Sequence, residues 1–129
     1  MEMLIESTLI RIGRKVPPVY TNVVKICSPI KSGEETELAQ YLEAIIEKRH
    51  IHNFKSIIID MKHCESISSG ALGILINTVQ YSSENNLRLY LARVGRKITK
   101  LLATTHLDTQ FNIYQSLDNI LKEEEECEE

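Results

Sequence analysis

The chain has 129 residues, 43% hydrophobic and 26% charged, proportions that suit one globular domain with a self-sufficient core. No apolar run approaches the roughly 18 residues needed to span a bilayer, so membrane insertion is not expected. Fifteen Lys and Arg against eighteen Asp and Glu give a net charge of −3 with no Trp, a balance that disfavours a nucleic-acid binder.

In chain order, Met1–Glu6 lacks a basic region followed by a long apolar stretch, so no secretory signal is expected. Thr8-Leu9-Ile10-Arg11-Ile12 alternates as a strand, and the β-branched Asn22–Cys27 forms a second. Gly13 and Pro17-Pro18 enforce a loop between them, because proline cannot donate to a ladder, and the two segments should pair as an antiparallel hairpin. Leu38, Tyr41, Leu42, Ile45 and Ile46 then fall on one stripe of a helix. Ser32 is the expected N-cap, with Glu34, Glu35 and Glu37 at the positive end of the dipole and Lys48 and Arg49 at the other.

Ser56-Ile57-Ile58-Ile59-Asp60 is apolar without alternation, as in a strand covered on both faces. A second helix runs from about Ser69 to Ser83, with Leu72, Leu75, Ile76 and Val79 on one side. Leu87–Leu91 alternates as a strand, and a third helix carries Val94, Ile98, Leu101 and Leu102. Phe111–Tyr114 makes a short strand, and Ser116 can cap a last helix bearing Leu117, Ile120 and Leu121. The order β-β-α-β-α-β-α-β-α describes an α/β fold: a single-domain mixed β-sheet with packed helices. Residues 1–122 should form that domain and hold 15 basic against 12 acidic residues, a net of +3. Six glutamates crowd into 123–129, and a block of like charge repels itself, so a disordered acidic tail is expected there. Such a tail either solubilises the domain or screens Arg93, Arg96 and Lys100 on the third helix.

Chemistry is sparse. Gly70-Ala71-Leu72-Gly73 opens a helix but matches neither phosphate-loop nor dinucleotide pattern, and no Gly-x-Ser-x-Gly elbow occurs. His50, His52, His63, Cys27, Cys64 and Cys127 offer no metal-ligand spacing, so neither metal nor cofactor is expected. Three cysteines, an odd number in a chain with a full core, argue against a disulfide framework and for the cytoplasm. Arg93, Arg96, Lys97 and Lys100 lack interleaved aromatics and fit a solvated helix face or a protein-docking patch. No base stands near a credible nucleophile, so no enzyme is expected. What remains is Ser66-Ile67-Ser68-Ser69-Gly70, between a buried strand and an amphipathic helix. Its serines can cap that helix, and its amides would also receive an anion.

Ser56–Met61, a short linker and Ser68-Ser69-Gly70-Ala71-Leu72-Gly73-Ile74-Leu75 resemble the central signature of STAS domains, the anti-sigma factor antagonist family. Leu87–Val94, Leu101-Leu102, His106-Leu107-Asp108 and Phe111–Leu117 resemble that family's later elements, so the likeness covers about residues 20–121. A gapless match departs from the family at two places. Ser68 and Ser69 take the family's acidic and first serine positions, and Gly70 stands where the phosphoacceptor serine belongs. Lys31, in Ser28-Pro29-Ile30-Lys31, falls near a second acidic position. The resemblance implies a non-catalytic interaction module in a partner-switching regulatory pathway, acting on transcription. Its partner would be a serine-kinase-type anti-sigma factor or related regulatory protein, with a serine phosphatase as the opposing enzyme. The implied docking residues are Ser68, Ser69, Gly70, Ala71, Leu72 and Lys31. The surviving candidate phosphoacceptor is Ser69, with Ser68 next; without phosphate, Ser69 serves as the helix cap. The alternatives are a module binding a small anionic ligand or nucleotide at the same helix start, and a structural subunit of a larger signalling or transport complex.

Overall fold

The computed structural model describes residues 3–128. Strands β1 (Ile5–Ile12) and β2 (Val19–Ile26) pair antiparallel from Ile5↔Ile26 to Ile12↔Val19. Each is longer than the side-chain alternation foretells, because the ladder is made by backbone groups that pair whatever side chain they carry. The hairpin connection turns through Gly13 at φ +64°, a left-handed conformation that favours glycine.

Helix α1 (Glu35–Glu47) buries Leu38, Leu42, Ile45 and Ile46, the stripe expected of it. Its N-cap is Glu34 rather than Ser32, and the side chain of Glu34 accepts from the Lys31 amide at 2.8 Å. At the other end the Ile46 carbonyl accepts from the Arg49 guanidinium at 3.0 Å and from the Arg49 amide at 3.2 Å, closing the last turn. Strand β3 (Phe54–Asp60) then runs parallel to β2, and Ile57, Ile58 and Ile59 are wholly buried. Helix α2 (Ser69–Glu84), strand β4 (Arg88–Ala92) and helix α3 (Arg96–Thr104) follow. One 3₁₀ turn (Asp108–Gln110) leads to strand β5 (Asn112–Tyr114) and helix α4 (Leu117–Glu128).

The sheet order is β1-β2-β3-β4-β5, antiparallel only at its first pair. The mixed α/β fold is as expected. Alternation along β3 explains the two-sided burial. Ile57 and Ile59 pack with Leu38, Leu42, Leu75, Ile98 and Leu102 of α1, α2 and α3, whereas Ile58 faces Val23, Tyr90 and Ile120 beneath α4.

The acidic end of the chain departs from expectation. Residues 123–128 continue α4, and the boundary drawn after 122 falls inside that helix. Leu117, Ile120, Leu121 and Glu124 lie at helical spacing on the face toward the sheet, so the apolar stripe simply ends in a glutamate. Glu124 is 1% exposed and accepts from Arg88 Nε at 2.7 Å, Arg88 Nη2 at 2.8 Å and the Tyr90 hydroxyl at 2.5 Å. A charge that repels its neighbours in an isolated tail is neutralised here by a guanidinium, and the helix goes on.

That placement takes Glu124 itself out of the proposed screen of Arg93. Glu124 meets Arg88 at the start of β4, while Arg93 lies just past the strand's other end, about 16 Å away at 3.3 Å per residue. Charges so far apart exceed the ~8 Å screening length at physiological salt.

Candidate functional site

The site expected from the sequence lies where the chain leaves β3 and enters α2. Two loops meet there. The Ile30 amide donates to the Ser66 carbonyl at 3.0 Å, and the Ser68 amide donates to the Ile30 carbonyl at 2.9 Å. Ile30 and Ile67 thereby form an isolated parallel bridge, with the Ile30 side chain buried below it. The segment around residues 28–33 is thus fixed beside the α2 N-terminus, leaving Pro29, Lys31 and Ser32 exposed alongside Ser69 and Gly70.

Ser68 is the N-cap of α2: its extended backbone (φ −71°, ψ 160°) aims Oγ at the Ala71 amide, which donates to it at 3.1 Å. The same hydroxyl donates to Glu35 Oε1 at 3.0 Å. The cap is therefore Ser68 and not Ser69; Ser69 occupies the first helical position, exposed to solvent. Of the two candidate acceptors, Ser69 offers its hydroxyl outward and Ser68 spends its hydroxyl holding the turn together. Ala71 and Leu72, expected to contact a partner, are 0% and 4% exposed and face the core. The helical period explains it: they begin the stripe that continues to Leu75. The exposed part of the expected set is Lys31, Ser69 and Gly70, with Ser68 half-buried between them.

Glu35 was read only as a dipole partner of its own helix, yet it organises this surface. The Gly33 amide donates to its Oε2 at 2.7 Å while Ser68 donates to its Oε1. Gly33 adopts φ +100°, so the turn needs glycine there. Hydrogen bonds from its own backbone amide, then the Gly33 amide, then the Ser68 hydroxyl hold the Glu35 carboxyl below the usual carboxylate range. The carboxylate stands over Gly70: a Cβ there would lie 2.6 Å from Glu35 Oε1 and 2.9 Å from its Cγ. A serine at position 70 would have to displace that side chain. No local pattern announces a contact between residues 35 apart in sequence.

Arg93 belongs to the frame as well. It was grouped with a solvated basic cluster, but its Nε donates to Asp60 Oδ1 at 3.0 Å and its Nη2 to Asp60 Oδ2. Asp60 is 2% exposed, and it also accepts from the Lys62 amide at 3.2 Å, so the pair fixes the exit of β3 ahead of the site. Arg96 and Lys97 remain exposed and share a cleft of about 250 Å³ with Glu65, next to the Ser66–Ser68 turn.

Nothing in this arrangement activates a nucleophile. Burial pushes the Cys64 thiol up to about 11, so it stays protonated at neutral pH. Cys27, Cys64 and Cys127 are free thiols. Among the described residues, no three His, Cys, Asp or Glu side chains gather as a metal would require, and no helix is long and apolar enough to cross a membrane.

Comparison with known proteins places the fold. A family profile described as the STAS domain matches residues 14–120. A putative anti-sigma factor antagonist from Thermotoga maritima superposes with a TM-score of 0.72 at 18% identity, over 80% of this chain and 86% of that one. An anti-sigma factor antagonist from Mycobacterium paratuberculosis gives a TM-score of 0.69 at 20% identity, covering 92% of both chains. The Bacillus cell fate determinant SpoIIAA in its phosphorylated form gives a TM-score of 0.62 at 11% identity, over 92% of this chain and 98% of that one. No curated protein sequence matches the chain.

Proposed function

The chain belongs to the STAS domain family, and from that membership we propose that it is a non-catalytic docking module of the anti-sigma-antagonist kind. Its partner is a regulatory protein, a serine-kinase-type anti-sigma factor or a relative, in a cytoplasmic pathway that governs transcription. The docking face is the pair of hydrogen-bonded loops presenting Lys31, Ser69 and Gly70, with Arg96 and Lys97 beyond Glu65. The observation that carries this reading is the join of Ile30 to Ser66 and Ser68, which holds two exposed loops as one rigid surface at a helix N-terminus. A pre-ordered surface loses little freedom on binding, which favours a protein partner.

Control at this face differs from that of a phosphorylated relative. With Gly70 at the family's acceptor position and the Glu35 carboxylate standing over it, a negative charge is already built into the turn. Ser69 is the hydroxyl a kinase can reach, and its phosphate would add roughly −1.5 to −2 charges beside Glu35. An opposing serine phosphatase would restore the unmodified surface.

Affinity capture from the native cell with the wild-type chain and a Lys31→Glu, Gly70→Arg variant tests the docking face. A protein with a kinase-type ATP site, retained by the wild type and lost with the variant, is the expected result. Equal retention by both would remove this face from the interaction. Turnover of a substrate that disappears on Ser69→Ala would replace the proposal with an enzyme. Intact-mass and peptide mapping across growth conditions decide the switch, through the presence or consistent absence of phosphate on Ser69.

A further inference from the structure

The two edges of the sheet differ. β5 closes one side with 3 residues, whereas β1 closes the other with 8, in unbroken register with β2 and holding neither proline nor lysine. Edge strands are kept from pairing with another chain by shortness, bulges, proline or lysine, and β1 has none of these. Two contacts fix the direction of its hydrogen bonds. The Cys27 amide donates to the Leu4 carbonyl at 2.7 Å, so Leu4 turns its backbone toward β2, and bonding alternates residue by residue along an antiparallel pair. The Tyr20 amide, opposite Arg11 in the register, donates away from β1, to the Asn53 carbonyl at 3.0 Å. Ile5, Ser7, Leu9 and Arg11 therefore direct their amides and carbonyls outward from the sheet.

The helix side of this edge is open. Ser7 is exposed and Leu9 half-buried, and both line a groove of about 410 Å³ whose far wall is Tyr41, Ala44 and Lys48 of α1. A strand added at the edge would lay alternate side chains there. The strand that fits is β1 itself. A two-fold axis normal to the sheet sets one residue opposite its own copy, and like charges meet if that residue is Glu6 or Arg11. Thr8 at the centre pairs the longest stretch, from Leu4 to Ile12. Ser7 then faces Leu9 of the second copy, Ile5 faces Arg11 and Glu6 faces Ile10. Small sits against large on the groove side, threonine meets threonine on the other, and no like charges are opposed. Leu4, 57% exposed, gains Ile12 of the second copy as its neighbour. The helices agree with the strands. Glu37 lies one turn before Tyr41 on the α1 stripe that continues to Ala44 and Lys48. The two-fold reverses the second α1, so its Glu37 end lies toward the Lys48 end of the first.

We propose that β1 pairs antiparallel with β1 of a second copy of this chain, centred on Thr8, and joins two five-stranded sheets into one. Ser7 with Leu9 and Ile5 with Arg11 exchange amide and carbonyl bonds, and the two Thr8 residues meet as a pair without backbone bonds between them. One strand from each copy makes the contact, a smaller area than permanent dimers bury, so the association is reversible and depends on concentration. Reversal of the strands puts the two Ser69 turns, beyond the exits of β3, at opposite ends of the joined sheet. The pairing covers neither docking face, and it is measured without any other protein, so its failure would leave the docking reading untouched.

Sedimentation velocity of the full chain should show a monomer–dimer equilibrium with a dissociation constant of about 10–200 µM. Hydrogen exchange followed by NMR identifies the surface. The Ser7 and Leu9 amides should exchange at least about twofold more slowly at about 1 mM protein than at about 20 µM, and those of Thr8 and Ile10, bonded to β2, should not change. Ser7→Pro removes an outward amide and spares the β1–β2 ladder, so the variant should keep the wild-type circular dichroism and associate at least about tenfold more weakly. Cross-linking reads the register without relying on that variant. In a chain carrying Cys27→Ala and Cys127→Ala, Thr8→Cys should form a disulfide-linked dimer on mild oxidation, because opposed residues of that kind have Cα atoms about 4.5 Å apart. Glu6→Cys, which faces Ile10 of the second copy, should not. A chain still monomeric at about 1 mM overturns the proposal. So does protection of Ser7 and Leu9 that ignores protein concentration, a Ser7→Pro variant that folds and associates like the wild type, or equal cross-linking at Glu6 and Thr8. Protection gained only on adding a different protein would overturn it too, and give the edge to that protein's strand.

Discussion

On one face of the sheet, α1, α2 and α3 meet Ile57, Ile59, Leu89 and Leu91 with leucines and isoleucines. On the other, α4 begins in the same way, with Ile120 over Val23 and Ile58, then reaches a polar cluster of Thr21, Ser56, Arg88, Tyr90 and its own Glu124. There the Ser56 hydroxyl donates to Thr21 Oγ1 at 2.7 Å, Thr21 donates on to the Ser56 carbonyl at 3.2 Å, and Arg88 and Tyr90 close on Glu124. Both faces are buried, but different physics holds them. Dispersion and water exclusion tolerate variation in detail, whereas a buried polar cluster is favourable only while every partner is present. Three helices cover the first face and one covers the second, so the fixed register of α4 rests on that cluster.

The largest loss should come from the aliphatic face. Leu42→Ala removes a side chain that is 1% exposed between α1 and the sheet, and should destabilise by about 2–5 kcal/mol in urea unfolding. The loss should be the same at pH 5 and pH 8, since nothing around Leu42 in that core cluster titrates there. A strongly pH-dependent loss would undo the contrast between the faces.

Glu124→Ala should cost about 1–3 kcal/mol at pH 7, less than a fully buried ion pair would, because the Arg88 side chain is 37% exposed and can rehydrate. Here pH matters. Burial by itself raises the Glu124 carboxyl, but hydrogen bonds from Arg88 and then Tyr90 outweigh it and leave the group below the usual carboxylate range. A depressed folded value means the stabilisation is complete above the unfolded carboxylate range, near pH 4.5. It is lost as pH falls below that toward the folded value. Wild type and Glu124→Gln should therefore converge in stability as the solution is acidified. A constant gap between pH 7 and pH 3 would show that the charge of Glu124 contributes nothing.

Smaller effects separate the two serines at the entry to α2. Ser68→Ala should lower stability by about 0.5–2 kcal/mol, for it removes the cap to Ala71 and the donor to Glu35. Gly70→Ala should compensate poorly, since its Cβ meets Glu35, and the Glu35→Ala/Gly70→Ala double variant should recover part of the single losses. Ser69→Ala, on the exposed first turn, should stay within about 0.5 kcal/mol of wild type by thermal unfolding. A larger loss at Ser69 than at Ser68 would reverse the assignment of cap and accessible hydroxyl.

How far the sequence reached can be seen at those serines. The turn was legible to within one residue: the Ser-Ser-Gly before an amphipathic stripe marks a helix start. Capping, however, depends on which residue keeps an extended backbone, and neighbouring serines do not differ in composition. The same limit moved the start of α1 from Ser32 to Glu34. Ala71 and Leu72 were legible as family positions, but their burial follows from the helical period and α2's packing against the core.

Periodicity by itself determined the elements, their order and the two-sided burial of β3, because local hydrophobic spacing and turn residues act over a few positions and survive in any context. It could not decide what a charge does. Glu35 read as a partner of its own helix dipole, Arg93 as part of a solvated face or docking patch, and Glu124 as part of a self-repelling tail. Each is instead committed to a partner more than thirty residues away: Glu35 to Ser68, Arg93 to Asp60, Glu124 to Arg88. An isolated run of glutamates repels itself, and the same run with one glutamate paired to a guanidinium is a helix. Only the tertiary structure brings the guanidinium there, since the energy of a charge depends on what surrounds it in space and not on its neighbours in sequence.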